Sequence, residues 1–588
     1  MRKGWIVALL VVFGLAGIGL VGLGFLLTER RVQVPQASTL VLRFDEPVLE
    51  DPPAGARSRL FYRESPSLWD HLRALDRAAE DPRVEAVLLQ IDGIDMGWAK
   101  TEELREKLLE IQERGKKVIA YIEGGEDQDY VLASSADEIY MAPNTDLRLD
   151  GLASYEVFLK GTLDKIGVKA DLEHVGEYKS AAEPFTHTTM SAPAREAANS
   201  LLDETFADIQ RAVAESRGLD SAAVLRVLDQ GPYTSRQALA AGLVDSLLYP
   251  DELEELLPGG AGGTRIELED YLASSTIPVG PPGAPVIAVV HATGTIVYGK
   301  SGTDPLWGRT IGSDSFIDAL EEATATRGIR AIVVRVDSPG GEVYASHLMW
   351  RAVKHAAEEV PVVASFSDLA ASGGYYLAMG ADTLVSDAAT LTGSIGVVGG
   401  KFNFKGLYDK LGMSVDVLSR GQNSLMLSSI RDFTPAERER YLNDMFEEYR
   451  TFVGIVAENR GTSDEEIDRL ARGRVWTGGQ AYENGLVDEI GGIEKSIEVA
   501  RQMAGLPADA KVRVETFPRI RKTFLQEVVS NLIEEETLDE LSSDTRVLAG
   551  LSRAWGLEFR GPAQLVASLS RLARQRTLAL MPFSIHVR

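Results

Sequence analysis

The sequence predicts an α/β protein made of two similar halves in tandem. Three observations carry that expectation. Apolar strands alternate with amphipathic helices, a set of motifs recurs at a fixed spacing, and breaker-rich segments separate the two sets. Strands and helices alternating at this spacing imply parallel β-α-β units.

In order, residues 38–44 read as a strand, 67–79 as an amphipathic helix and 84–91 as a mostly apolar strand. Residues 101–114 read as a helix with Leu104, Leu108, Leu109 and Ile111 on one side, and 117–122 as the next strand. The pattern then returns. Asp92 ends a strand that resembles the one ending at Asp337, Tyr130 matches Tyr375, and Asp164 matches Asp409, each pair 245 residues apart. Ala241-Gly242-Leu243-Val244-Asp245 matches Asn484-Gly485-Leu486-Val487-Asp488 at a spacing of 243. Collinear matches over such a length mark a duplicated domain, a tandem pair of long units.

The expected domains are a membrane anchor at 1–31, a first repeat at 38–257, a linker at 258–285, a second repeat at 286–511 and a helical extension at 512–588. The linker is recognised by Pro258-Gly259-Gly260 and Pro281-Pro282-Gly283. The anchor rests on the uncharged run 4–27, whose helix spans about 36 Å, enough to cross a bilayer. The apolar core of a cleaved signal is only about 7–15 residues, so removal is the lesser alternative. Arg2 and Lys3 favour a cytoplasmic amino terminus, although Arg30 and Arg31 pull the other way. The rest of the chain is then expected outside the cytoplasm, on the periplasmic face of an inner membrane where two membranes exist. From Arg560 onward the extension holds five arginines and no acid. It reads either as a helix docked on the protein's own body or as a basic amphipathic helix on lipid headgroups.

At 588 residues the chain exceeds one core. A formal charge of −26 excludes the phosphate-neutralising surface that nucleic-acid binding needs. With no cysteine, disulfides, thiolate metal sites and cysteine nucleophiles are excluded.

The duplication shows where the copies differ. Ser394, flanked by Gly393 and Gly396, stands opposite Leu149, and Lys179 stands opposite Ser424. Each copy lacks what the other offers, which points to one site assembled from both. A serine hydroxyl needs an adjacent base, and a buried lysine becomes one when burial lowers its pKa. Seven histidines leave a Ser–His pair open, His174 and His347 being nearest to the motifs. Gly340 and Gly341 follow a strand and are candidates for oxyanion donors, or simply for a strand-ending turn. Ser372 in Ala371-Ser372-Gly373-Gly374 reads as a helix cap, with a nucleophile as the lesser alternative, and Ser419 reads as a candidate to orient Lys179.

These motifs, with Tyr178-Lys179-Ser180-Ala181-Ala182-Glu183-Pro184-Phe185 and Leu391-Thr392-Gly393-Ser394-Ile395-Gly396, resemble the signal peptide peptidase A (protease IV) family in its long, duplicated form. The resemblance spans residues 1–510. It implies tandem ClpP/crotonase-like domains, Ser394 as nucleophile, Lys179 as general base, and no cofactor or metal. It also implies a tetrameric dome on the membrane whose substrates are signal peptides left there after cleavage. Glu342 departs from the family by following the double glycine where a smaller residue is expected. Two other readings remain: a crotonase-type acyl-CoA hydratase or isomerase, and a catalytically silent membrane scaffold.

Overall fold

A computed structural model describes residues 33–51, 66–260, 263–274, 283–304, 308–508, 510–519 and 577–580. Two parallel sheets organise it. The first has the spatial order Thr264–Glu267, Ser38–Phe44, Val84–Ile91, Lys117–Ile122, Glu138–Met141, Ser246–Leu247. The second repeats that order with Arg513–Phe517, Val286–Thr293, Ile329–Ser338, Val362–Ala371, Thr383–Ser386, Glu489–Ile490. Their strands are almost continuously apolar because both faces are covered, as parallel sheets require.

Both repeats extend past the expected boundaries. Thr264–Glu267 lies inside the expected linker, and Arg513–Phe517 inside the expected helical extension, yet each hydrogen-bonds to the first strand of its own sheet. The helix read at 101–114 runs Trp98–Glu113 and buries Leu104, Leu108 and Ile111, while Leu109 faces outward. One step of about 100° along a 3.6-residue turn carries Leu109 off the stripe. The expected anchor at 4–27 lies outside the described residues. Among the described residues no helix is long and apolar enough to cross a membrane.

The repeats are not separate bodies. Ile287, Val333 and Val363 of the second sheet share one buried cluster with Leu89, Leu104 and Ile111 of the first repeat. Within this contact Arg335 is fully buried, donating to Glu50 at 2.7 Å and pairing with Glu103 at 2.5 Å. Lys100 Nζ reaches Asp337 at 3.0 Å and Asp368 at 2.9 Å. Buried charges are costly unless paired, so these pairs fix one register between the repeats.

A third sheet crosses from one repeat to the other. Lys169–Val175 of the first pairs antiparallel with Val397–Asn403 of the second, Val175 opposite Val397. Beside them lie Gly302–Asp304, Gly308–Gly312, Thr295–Val297, Gly340–Glu342 and Thr577–Leu580. The last of these belongs to the extension expected to be helical. It is a strand, antiparallel to Gly340–Glu342 on one side and to Val397–Asn403 on the other.

Candidate active site

The cross-repeat pairing explains how two residues 215 positions apart meet. The strand Lys169–Val175 ends at Val175, opposite Val397, which itself follows Ser394 by three residues. The chain then turns at Gly176, and Tyr178 N–H donates to the Arg472 carbonyl at 2.8 Å. Lys179 enters the second repeat fully buried. Gly473 makes room for it: a Cβ there would stand 2.5 Å from the Lys179 Cβ. Gly473 has φ +83, a conformation that glycine adopts without penalty.

Lys179 Nζ has three partners: Ser372 Oγ at 2.8 Å, Ser394 Oγ at 2.9 Å and the Ser394 carbonyl at 2.9 Å. All three residues are fully buried. Burial holds the Lys179 pKa well below the usual lysine value, and no carboxylate counters it. A neutral amine carries two N–H groups and one lone pair. One N–H goes to the carbonyl, which only accepts. The other goes to one hydroxyl, and the lone pair accepts from the remaining hydroxyl. Three partners therefore satisfy the uncharged form completely.

Ser372 is not the helix cap expected of it. It precedes the helix Gly373–Ala378 with φ 54 and ψ −111, and its side chain caps no amide. Its own N–H donates to the Gly393 carbonyl at 2.8 Å. Ser394 also has positive φ, 53, and its N–H donates to the Arg474 carbonyl at 2.7 Å. Positive φ at a residue with a Cβ costs on the order of 1–3 kcal/mol and persists where the surroundings impose it. The counterparts Asp127 and Leu149 have no such strain.

The double glycine lies beside Ser372. A Cβ on Gly373 would stand 3.0 Å from the Gly341 amide nitrogen and 3.1 Å from Gly340 Cα. Gly341 is itself pressed against the strand Thr295–Val297, its missing Cβ only 2.0 Å from the Ile296 carbonyl oxygen. The Gly340 N–H donates to Ser338 Oγ at 3.1 Å. Glu342, the departure from the family pattern, turns its carboxylate to the Tyr298 N–H at 3.0 Å.

The remaining candidates lie elsewhere. His347 Nδ1 meets the Tyr376 hydroxyl at 2.8 Å, and His174 Nδ1 meets the Gly176 carbonyl at 2.9 Å. Ser419 is exposed, and the hydroxyl beside Lys179 that sequence reasoning sought there belongs to Ser372. Sequence reasoning ranked Ser372 as a nucleophile below Ser372 as a cap, and it missed Gly473. The 245-residue spacing was a signal for the first, because it sets Ser372 opposite Asp127.

Comparison with known proteins decides the family. The chain matches Peptidase family S49 over residues 110–259 and 354–507, one match in each repeat. It belongs to that family. Relatives include a chloroplastic serine protease SPPA of Arabidopsis thaliana, 33% identical over 82% of this chain and 73% of that one. Protease 4 of Haemophilus influenzae is 30% identical over 76% of this chain and 74% of its own. Among solved structures, a membrane protease of Pyrococcus horikoshii specific for a stomatin homolog covers 42% of this chain and 98% of its own. Its identity is 14% and its TM-score 0.24. The family and its protease-named members make this chain a serine-type peptidase of mixed α/β fold, with the family domain duplicated.

Proposed function

We propose that the chain is a membrane-anchored serine endopeptidase in which Lys179 of the first repeat activates Ser372 of the second. The observation that carries this reading is the fully buried Lys179 amine, its pKa lowered by desolvation, lying 2.8 Å from the Oγ of Ser372, the residue before Gly373. The nucleophile role that the motif resemblance placed on Ser394 passes to Ser372 for a geometric reason. An attacking serine must stand next to the donors that hold the oxyanion. Ser372 directly precedes Gly373, whose missing Cβ would stand 3.0 Å from the Gly341 amide nitrogen. Ser394 has its carbonyl held by Lys179 and its amide held by Arg474. It serves to hold the lysine rather than to attack.

Lys179 takes the Ser372 hydroxyl proton as the oxygen attacks a peptide carbonyl. Gly341 and Gly373 N–H groups receive the oxyanion. Gly340, expected to share that role, has its N–H turned to Ser338. The lysine then gives its proton to the leaving amine, and after the amine departs it activates the water that cleaves the acyl-enzyme.

Substrates bind as extended strands. The lane for such a strand lies between Gly340–Glu342 and Val397–Asn403, where the chain's own Thr577–Leu580 pairs with both. Main-chain pairing of this kind supplies affinity with little demand on sequence. It suits hydrophobic signal peptides left in a membrane, which an anchor at 4–27 would place within reach.

The test is cleavage of a hydrophobic signal-sequence peptide in vesicles, by the full chain and by Ser372→Ala, Ser394→Ala and Lys179→Ala. The reading expects Ser372→Ala and Lys179→Ala to be inactive and Ser394→Ala to retain measurable turnover. Near-normal turnover by Ser372→Ala overturns it.

A further inference from the structure

The fold does not ask for a carboxylate at position 342. The 245-residue spacing sets Glu342 opposite Gly97 of the first repeat, and Tyr344 opposite Ala99. Gly97 caps the helix Trp98–Glu113 just as Glu342 caps Val343–Ala357, so the two positions are structural equivalents. A Cβ on Gly97 would stand 2.1 Å from the Asp368 carboxyl carbon, so the first repeat has no room for a side chain there. The second repeat, which carries Ser372, has a carboxylate and an aromatic ring at these places instead.

Glu342 ends the strand Gly340–Glu342, one wall of the lane that Thr577–Leu580 occupies. Its carboxylate accepts the Tyr298 N–H at 3.0 Å, and among the described residues it forms no ion pair. That bond sets Tyr298 beside it. The Tyr298 ring stacks on the Tyr344 ring, with centroids 5.9 Å apart and planes 28° from parallel. Both tyrosines are 59% exposed. Exposed aromatics scattered singly are ordinary. Here two stacked rings and a carboxylate without a cation meet at the rim of one lane.

The register of the lane decides which part of a substrate reaches this rim. Thr577–Leu580 runs antiparallel to the wall, with Leu580 opposite Gly340 and Leu578 opposite Glu342. A substrate in that register places opposite Glu342 the residue two positions N-terminal of the one opposite Gly340. Gly373, next to Ser372, lies against Gly340 and Gly341, so the residue facing Glu342 lies upstream of the bond under attack. Directly opposed residues of an antiparallel pair point to one face, with Cβ atoms about 4.5–5.5 Å apart. The substrate side chain and the Glu342 side chain are then neighbours.

We propose that Glu342, Tyr298 and Tyr344 form a cation subsite that selects a lysine or arginine of the substrate just upstream of the cleavage site. The proposal rests on the Ser372–Lys179 peptidase reading and names the peptides that site prefers: apolar strands with a basic residue ahead of the cut. The carboxylate supplies an ion pair, forked in the case of arginine. The exposed ring surfaces attract the same cation and cover its methylene stem. An acidic side chain gains neither contact and sits directly opposite a like charge, which is unfavourable.

The test is a ratio read within each variant, so differences in overall activity cancel. The full chain, Glu342→Gln and Glu342→Lys are each given one apolar peptide series in detergent. In that series a single lysine, glutamate or leucine is moved through the positions upstream of the cut. The expected result is a preference of about tenfold in kcat/KM for lysine over glutamate, at one position alone. High salt shrinks it, Glu342→Gln brings it close to parity, and Glu342→Lys inverts it. Tyr298→Ala with Tyr344→Ala lowers the preference without inverting it. Cleavage with no lysine preference at any position overturns the subsite, and so does a preference that Glu342→Gln leaves intact. Neither result touches the choice of nucleophile. Conversely, a serine-directed adduct on Ser394 overturns the Ser372 reading, while a lysine preference that follows Glu342 still stands. A chain that cleaves none of these peptides overturns both.

Discussion

The two repeats share a sheet order and differ at the few positions where chemistry is placed. In the second repeat Ser372 and Ser394 are held at positive φ on either side of a buried lysine whose pKa desolvation lowers. In the first, Asp127 and Leu149 stand there with ordinary backbone. Asp127 is buried, its carboxyl pushed up to about 6 by desolvation, and it accepts the Gly151 N–H at 3.1 Å. Asp95 and Met96 stand where the second repeat has its double glycine, and the Ile94 N–H just before them is tied to Asp129 at 2.7 Å. The same scaffold thus exists strained and relaxed in one molecule. The difference teaches that the strain belongs to the site and not to the fold.

That comparison is broken most severely by Ser372→Ala or Lys179→Ala. Each is expected to lower kcat/KM by about 10³-fold or more, since residues acting as a unit fail together, with circular dichroism unchanged. Ser394→Ala is expected to cost about 10–100-fold, because it removes a partner of the lysine and not the attacking group. Its distinguishing mark is the pH profile of kcat/KM. Activity needs neutral Lys179, so it rises with pH through the lowered lysine pKa. Losing a hydroxyl that holds the amine moves that rise, whereas a purely structural role leaves it in place.

Removing residues 560–588 empties the lane between Gly340–Glu342 and Val397–Asn403. A rise of about 2–10-fold in kcat/KM for short peptides is expected, read as a fall in KM. No rise means that the tail strand does not compete with substrate. The smallest effect is on stability. Between the lowered folded pKa of Lys179 and its unfolded value, the unfolded chain binds the extra proton, so stability rises with pH in that window. Lys179→Met is therefore expected to raise Tm near neutral pH, by an amount that shrinks toward pH 10.5. A Tm gain that stays constant with pH contradicts a neutral buried lysine.

Much of this was legible before any coordinates. The alternation of strands and helices and the duplication follow from spacing, and the meeting of Lys179 with Ser394 across the repeats follows from what differs between the copies. The Ser372 role did not, although the offset that set Leu149 against Ser394 also sets Asp127 against Ser372. A serine before two glycines has the local chemistry of a cap, and only the register of Val362–Ala371 against Leu391–Gly393 forces its positive φ. The strands Arg513–Phe517 and Thr577–Leu580 were illegible for a related reason. Each is defined by partners at least 178 residues away, which local propensity does not encode.

The central claim, that a lysine from one repeat activates Ser372 of the other, is tested most directly by mapping a covalent adduct. The full chain is treated with a fluorophosphonate and digested, and the modified peptide is sequenced by mass spectrometry. The account predicts the adduct on Ser372, still present in Ser394→Ala and absent in Lys179→Ala. An adduct on Ser394, or labelling that survives loss of Lys179, contradicts it.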